Sequence, residues 1–413
     1  MTSSSLHPSS AARRPDASRN STSPGPSLTP LTPTVSATSL SSSQTLSRTI
    51  STASSAPSVT RTKSKVSQIP RSQSSSRLSL KYQAQTWRFL EGIGVYLNAW
   101  PKPYPPEPSF TCNFSTSDTP SASLELVFYA PKNYEKEKKK GRRYPVVVNF
   151  HGGGFTLGST RDDARWAAFI LQETSAVIVS VEYRLAPEHP FPTAVEDGVE
   201  ALLHLGAQSE RYGIDPKQIA LSGFSAGGNL SFTVPLRLHD HIQTLKDTLP
   251  EASFNDPSTQ PPLPEIISII AFYPALDMRI SRAQRRALSS HPEKTLPPIL
   301  TSLFDESYMP DESSKISPYA SPPVASDDTL IKALPDRIAF YLCEWDMLLL
   351  EGKDFAERLR SLGKNVELEI IAEKRHAFDK APQVLSVDPK VGMYYTQACR
   401  ILKEVFDAHA SHI

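Results

Sequence analysis

Cysteine is scarce in this chain, charge is nearly balanced, and long apolar runs are missing. Three cysteines in 413 residues, Cys112, Cys343 and Cys399, are an odd number at spacings that suit no metal site. Neither a disulfide framework nor a zinc cluster is expected, and the thiols read as free in a reducing compartment. No stretch is apolar over the roughly 18 residues a membrane-spanning helix needs. The start of the chain lacks the apolar core of a secretory signal. The expected location is therefore the cytosol. A mitochondrial one is the alternative, because the first eighty residues are Ser-rich, contain Arg and hold almost no acid. Against it, Pro24, Pro26, Pro30 and Pro33 would break an amphipathic helix.

The net charge of +1 conceals two regions. Residues 1–80 carry nine Lys and Arg against one Asp, so the remainder is acidic. That first region is also rich in Ser, Thr and Pro and poor in aromatics. It has too little apolar surface to offset its ordering entropy, which predicts a disordered tail over 1–80. Ser23-Pro24, Thr29-Pro30 and Thr32-Pro33 fit proline-directed phosphorylation, which would recruit partners through added charge. A plain extension is the simpler expectation. Residues 81–413 suffice for one large domain with insertions.

Along that domain, residues 81–100 predict a helix, ended by the proline cluster at 101–108. Strands are predicted at 110–114, 124–129, 146–150, 176–181, 219–221, 266–273, 337–342 and 366–371. Helices are predicted from Asp162, over 196–205, over 355–362 and over 394–408. Strands alternating with helices give an α/β class, a mostly parallel central sheet covered by helices on both faces. The first two strands have no helix between them and are expected to pair as an antiparallel edge. The charged run 135–143 (EKEKKKGRR) has no interleaved aromatics. It reads as a solvated loop, and no nucleic-acid partner is expected. Segments 236–264 and 289–323 fit the rhythm poorly. They read as insertions which, with 81–108, would cap a site.

Two short motifs carry the chemistry. His151-Gly152-Gly153-Gly154-Phe155 follows an apolar run, and Gly223-Phe224-Ser225-Ala226-Gly227 follows another. The second is a G-x-S-x-G pattern, in which a strained strand-to-helix turn exposes the serine hydroxyl. A glycine run can present backbone N–H groups to a developing oxyanion. A G-x-S-x-G alone is a weak signal. The pair, each in a strand-then-turn context, points to a serine hydrolase that transfers acyl groups.

These motifs, with Tyr183-Arg184-Leu185-Ala186-Pro187-Glu188 and late Asp and His signatures, resemble the hormone-sensitive-lipase-like group of α/β-hydrolases. That group includes many carboxylesterases, and the likeness covers most of residues 81–413. The sequence departs from the pattern at Phe224, where the group usually has Asp, and mildly at Ala377, where it has Gly. The tail lies outside the pattern.

The resemblance implies the α/β-hydrolase fold and a triad in the chain order Ser, acid, His. Ser225 is the expected nucleophile. His376 is the expected base, because His239 and His241 precede any suitable acid strand. His291 lies in an insertion, and His409 and His412 sit at the chain end. Asp346 is the expected acid, with Glu344 and Asp354 as rivals. The oxyanion donors are expected to be the N–H groups of Gly152, Gly153 and Ala226, with His151 shaping the loop. Tyr183, Arg184 and Glu188 read as structural. Trp87, Trp100, Phe155 and Trp345 fit either an acyl pocket or the core.

The expected activity is hydrolysis of small to medium, short-acyl carboxylic esters through an acyl-enzyme, with no metal or organic cofactor. Activity should fall as pH drops through the histidine range. The alternatives are an amide deacetylase using the same triad, or a small-ligand receptor like the plant gibberellin receptors, which resemble this group but lack the histidine. The oligomeric state is open.

Overall fold

Parallel strands buried on both faces need apolar residues at nearly every position, because neither side meets water. The central runs of this chain meet that demand. In the computed structural model they form one eight-stranded sheet. The structure describes residues 75–410 except 103, 118–121, 255–260 and 382–385. All the described residues fall in one unit, Arg71–Ile413. The expected disorder of the tail and its phosphorylation sites lie outside them, as does His412.

In chain order the elements are α1 (Arg77–Asn98), β1 (Phe110–Ser115), β2 (Ser123–Tyr129), α2 (Tyr134–Lys139), β3 (Tyr144–Phe150), α3 (Ala164–Glu173), β4 (Val177–Glu182) and α4 (Thr193–Ala207). There follow the single turn α5 (Ser209–Tyr212), β5 (Ile214–Phe224), α6 (Ala226–Thr248), the single turn α7 (Glu251–Phe254), β6 (Ile266–Phe272), α8 (Arg282–Leu288) and α9 (Pro298–Tyr308). The chain then runs through α10 (Asp327–Ala333), β7 (Arg337–Cys343), α11 (Leu349–Ser361), β8 (Asn365–Ile371) and α12 (Pro389–Ala410).

The strand order is β1-β2-β4-β3-β5-β6-β7-β8. β2 is antiparallel to both β1 and β4, as expected for an edge without crossover helices. The pairs from β4 through β8 are parallel. Helices α4, α6, α10 and α11 bury their apolar sides on one face of the sheet, and α3 and α12 on the other. Phe232 of α6 shows the packing: it is fully buried and stacks on Phe340 of β7 at 5.2 Å. Truncating such a residue to Ala costs about 3–5 kcal/mol.

Three expectations are corrected. The tail boundary at residue 80 falls too late. α1 starts at Arg77 because the Ser76 hydroxyl caps it by accepting from Ser79 N–H, and Leu80 is buried. The charged run at 135–143 is not all loop. Its first half forms α2, with Glu early, Lys late, and i,i+3 pairs Glu135–Lys138 and Glu137–Lys140. The segment 236–264 does not leave the layers at its start. α6 runs on through the buried Pro235 to Thr248, with Leu236 and Leu238 buried beneath it.

Candidate active site

In a parallel sheet, the C-terminal ends of the strands lie along one edge, and loops leaving that edge can meet. Four such loops do. Gly152–Gly154 follow β3, Ser225 follows β5, Asp346 follows β7 and His376 follows β8.

Ser225 sits between β5 and α6 with φ 56° and ψ −110°, a conformation strained for a residue with a side chain. Backbone hydrogen bonds hold it there. Its N–H donates to Phe272 O at 2.9 Å, and its carbonyl accepts from Asn229 N–H at 3.1 Å and Ala275 N–H at 3.2 Å. The turn is tight enough that Gly227 has no room for a side chain, since a Cβ there would lie 1.9 Å from Phe150 O. Ala226 begins α6, so its N–H has no acceptor within the helix.

His376 Nε2 is 2.8 Å from Ser225 Oγ, and His376 Nδ1 is 2.5 Å from Asp346 Oδ2. Both His376 and Asp346 are buried. The other Asp346 oxygen accepts from Leu348 N–H at 3.1 Å. A backbone bond from Trp345 N–H to Lys374 O at 2.9 Å ties the acid loop to the histidine loop. This arrangement can pass a proton from the serine hydroxyl to the imidazole while the carboxylate fixes the tautomer.

The rivals lie elsewhere. Glu344 accepts from Glu373 N–H, and Asp354 is exposed on α11. His239 and His241 are on α6, His291 pairs with Glu293, and His409 bonds to Val405 O. His151 is buried, stacks on Tyr183 at 4.2 Å, and bonds to its own neighbour Gly152 O.

The six-residue signature after β4 is structural in each of its polar members. The Tyr183 hydroxyl donates to His151 O at 2.8 Å. Arg184 forms an ion pair with the fully buried Asp197. Glu188 pairs with Arg88 of α1 at 3.0 Å, and Arg88 also donates to Thr156 O and Ala186 O. The last group fastens α1 over the glycine loop.

A cavity of about 400 Å³ opens onto Ser225 and His376. Trp87, Leu90 and Val95 of α1 line it on one side, and Leu296, Leu300 and Phe304 on another. No described residue of 236–264 lines it. Of the four aromatics in question, Trp87 lines the cavity and Phe155 is core, stacked on Tyr308 at 3.7 Å. Trp100 is exposed, and Trp345 lies under the Lys294 ammonium.

Sequence reasoning missed an electrostatic layer beneath this cavity. Lys380 pairs with the buried Asp163 at 2.5 Å and with Asp379 at 3.2 Å. Tyr273 and Tyr395 both donate to Asp379. Burial alone would lower the Lys380 ammonium, but Asp163 and Asp379 outweigh it and hold it above the ordinary lysine range. Glu91, on the cavity wall, is raised from 4.5 to about 7 by burial and by the nearby Asp162, although Gly158 N–H bonds to it at 2.7 Å. No local motif marks these residues, because their partners are distant in sequence.

A family model for the alpha/beta hydrolase fold matches residues 147–380. The chain belongs to that family. It is 27% identical over 304 residues to human arylacetamide deacetylase-like 2, covering 63% of this chain and 73% of the relative. It is 29% identical over 230 residues to an AB hydrolase superfamily protein of Schizosaccharomyces pombe, covering 55% of this chain and 61% of that relative. The solved structure of an esterase from Pyrobaculum calidifontis superimposes with a TM-score of 0.62 at 25% identity, over 79% of this chain and 91% of that one. Such relatives are those of the hormone-sensitive-lipase-like group, and the chain is a hydrolase of that group. Among the described residues, no helix is long and apolar enough to cross a membrane.

Proposed function

We propose that this hydrolase cleaves carboxylic esters through an acyl-enzyme on Ser225. In this reading Ser225 Oγ attacks the carbonyl carbon while His376 Nε2 takes its proton, and Asp346 stabilises the imidazolium that forms. The N–H groups of Gly152, Gly153 and Ala226 receive the oxyanion. His376 then protonates the leaving alcohol. Water, activated by the same imidazole, releases the acid and restores the serine. The observation that carries the reading is the unbroken contact from Ser225 Oγ through His376 to Asp346 at the cavity floor.

A cavity of about 400 Å³ favours small to medium substrates with short acyl groups. Segments 81–108 and 289–323 act as the cap, through α1 and α9. The test is hydrolysis of nitrophenyl esters from acetyl to dodecanoyl by wild type and Ser225→Ala. Expected are turnover that peaks at short chains and vanishes in the variant, and labelling of wild type by a fluorophosphonate. Absence of both from folded wild type would favour a receptor. Labelling without ester turnover would move the search to amides.

A further inference from the structure

α1 has one face committed to the cavity and another that no described residue covers. At about 100° per residue, Leu78, Tyr82, Phe89, Ile93 and Tyr96 fall in a stripe roughly 60° wide, opposite the side that carries Trp87, Glu91 and Val95, and Trp100, two residues past the helix end, extends it edge-on to Tyr96 at 5.6 Å. Every residue of the stripe is exposed, from 46% at Ile93 to 70% at Phe89. An amphipathic helix ordinarily turns its apolar side inward. Here the outward side is the more apolar one, and a contiguous patch of this kind marks an interaction surface.

We propose that this face of α1 seats on an anionic lipid surface, with the helix lying along the interface. Three observations select that occupant. Four of the six side chains are aromatic, and the two tyrosines and the tryptophan among them have polar ends that suit the headgroup region. The only acid in α1 is Glu91, and it points inward to Gly158 N–H, while Lys81 and Lys102 are exposed near the two ends of the stripe. The 76 residues that lead into α1 carry eight Lys and Arg against one Asp. An apolar helix face joined to a polybasic segment is the two-signal combination that gives stable interfacial attachment. A second copy of the chain fits less well, since it would bring two such basic segments together. The helix in contact with lipid would also be a wall of the cavity.

The test is co-sedimentation of the full chain with vesicles of phosphatidylcholine alone and of phosphatidylcholine with phosphatidylserine, at low and high salt. The expected result is binding to the mixed vesicles, weakened by salt and on the neutral vesicles. Joint Phe89→Asp and Ile93→Asp substitution should weaken it by about tenfold or more. Neither side chain lines the cavity, so thermal stability and nitrophenyl acetate turnover should stay at wild-type values. Lys63→Glu with Lys65→Glu, in the basic segment that precedes α1, should weaken binding without the apolar change. Failure to sediment, or sedimentation indifferent to both variants, overturns the proposal. So does a wild-type dimer in solution that the Phe89/Ile93 variant converts to monomer, which would assign the face to a second copy. The sedimentation reads lipid contact whether or not the ester reading holds.

Discussion

The ammonium of Lys380 lies 3.6 Å from the centroid of the Phe224 ring. Phe224 immediately precedes the strained Ser225, and Lys380 is four residues past His376, so this contact joins the serine turn to the histidine loop. The chain departs from the usual Asp of its group at 224, and the aromatic face that stands there attracts the Lys380 cation electrostatically. The full carboxylate partners of Lys380 are Asp163 and Asp379.

Lys380→Met should leave the buried Asp163 without its cation and loosen the loop that carries His376. Removing one partner of a buried pair costs about 3–5 kcal/mol, so thermal stability should fall clearly. Turnover should fall chiefly through kcat, because the loop positions the base. Phe224→Leu removes the cation–π contact together with the stacking on Phe272 at 4.6 Å and the edge contact with Tyr395, and should cost about 1–3 kcal/mol. Lys380→Arg should recover part of the kcat. A Met variant with wild-type kcat would show that the contact has no part in positioning.

Asp346→Asn keeps the shape of the acid loop but offers no charge to the imidazolium and permits the wrong tautomer. kcat should fall by about 10²–10⁴-fold with folding intact. Glu344→Gln, whose side chain bonds to Glu373 N–H and not to the histidine, should change kcat little. The reverse ranking in steady-state kinetics would move the acid to residue 344.

Glu91 gives stability an unusual pH dependence. Its folded-state value of about 7 lies above its ordinary 4.5, so the folded chain binds this proton more tightly than the unfolded chain does. Wild type should therefore lose stability relative to Glu91→Gln as pH rises from about 4.5 to about 7, with the loss complete above that range. Melting temperatures of both proteins between about pH 4 and about pH 8 check it. A constant difference across the series would mean that Glu91 ionises normally.

The readable parts of this chain are those whose physics is local. Strands β3 to β7 are buried on both faces and read as apolar runs, and the Ser225 turn and the glycine loop need residue types that few other structures need. Asp346 and His376 are legible as candidates because each follows a predicted strand end in a short signature that resembles that of the hormone-sensitive-lipase-like group. The continuation of α6 was not readable. Its last three turns, His239 to Thr248, are mostly polar, with only Ile242 and Leu245 to mark the inward side, and Pro235 looks like a stop. Lys380, Asp163 and Glu91 look like ordinary surface charges in the sequence. Only the fold brings Asp163, at the end of one loop, under a lysine from the far end of the sheet.

The oxyanion reading can be separated from simple backbone strain by two glycines that share a positive φ. Gly153 has φ +105°, and a Cβ there would lie 2.2 Å from Leu157 O, a backbone atom that cannot swing away. Gly141, just past α2, has φ +91° with nothing within 4 Å of its added Cβ. Alanine at either position meets the intrinsic penalty of this conformation, about 1–2 kcal/mol. Only at 153 must the loop also shift, and Gly153 O is the acceptor for both Thr156 and Leu157 N–H, so the whole turn moves with it. If the Gly153 N–H holds the oxyanion, Gly153→Ala should lower kcat by about 10²–10³-fold, the usual cost of losing one donor. Gly141→Ala should lose only the intrinsic increment of stability and keep its turnover. Measuring kcat and melting temperature for both variants separates the two effects. Equal turnover in the two would remove Gly153 from the oxyanion site and leave Gly152 and Ala226 as the donors to test.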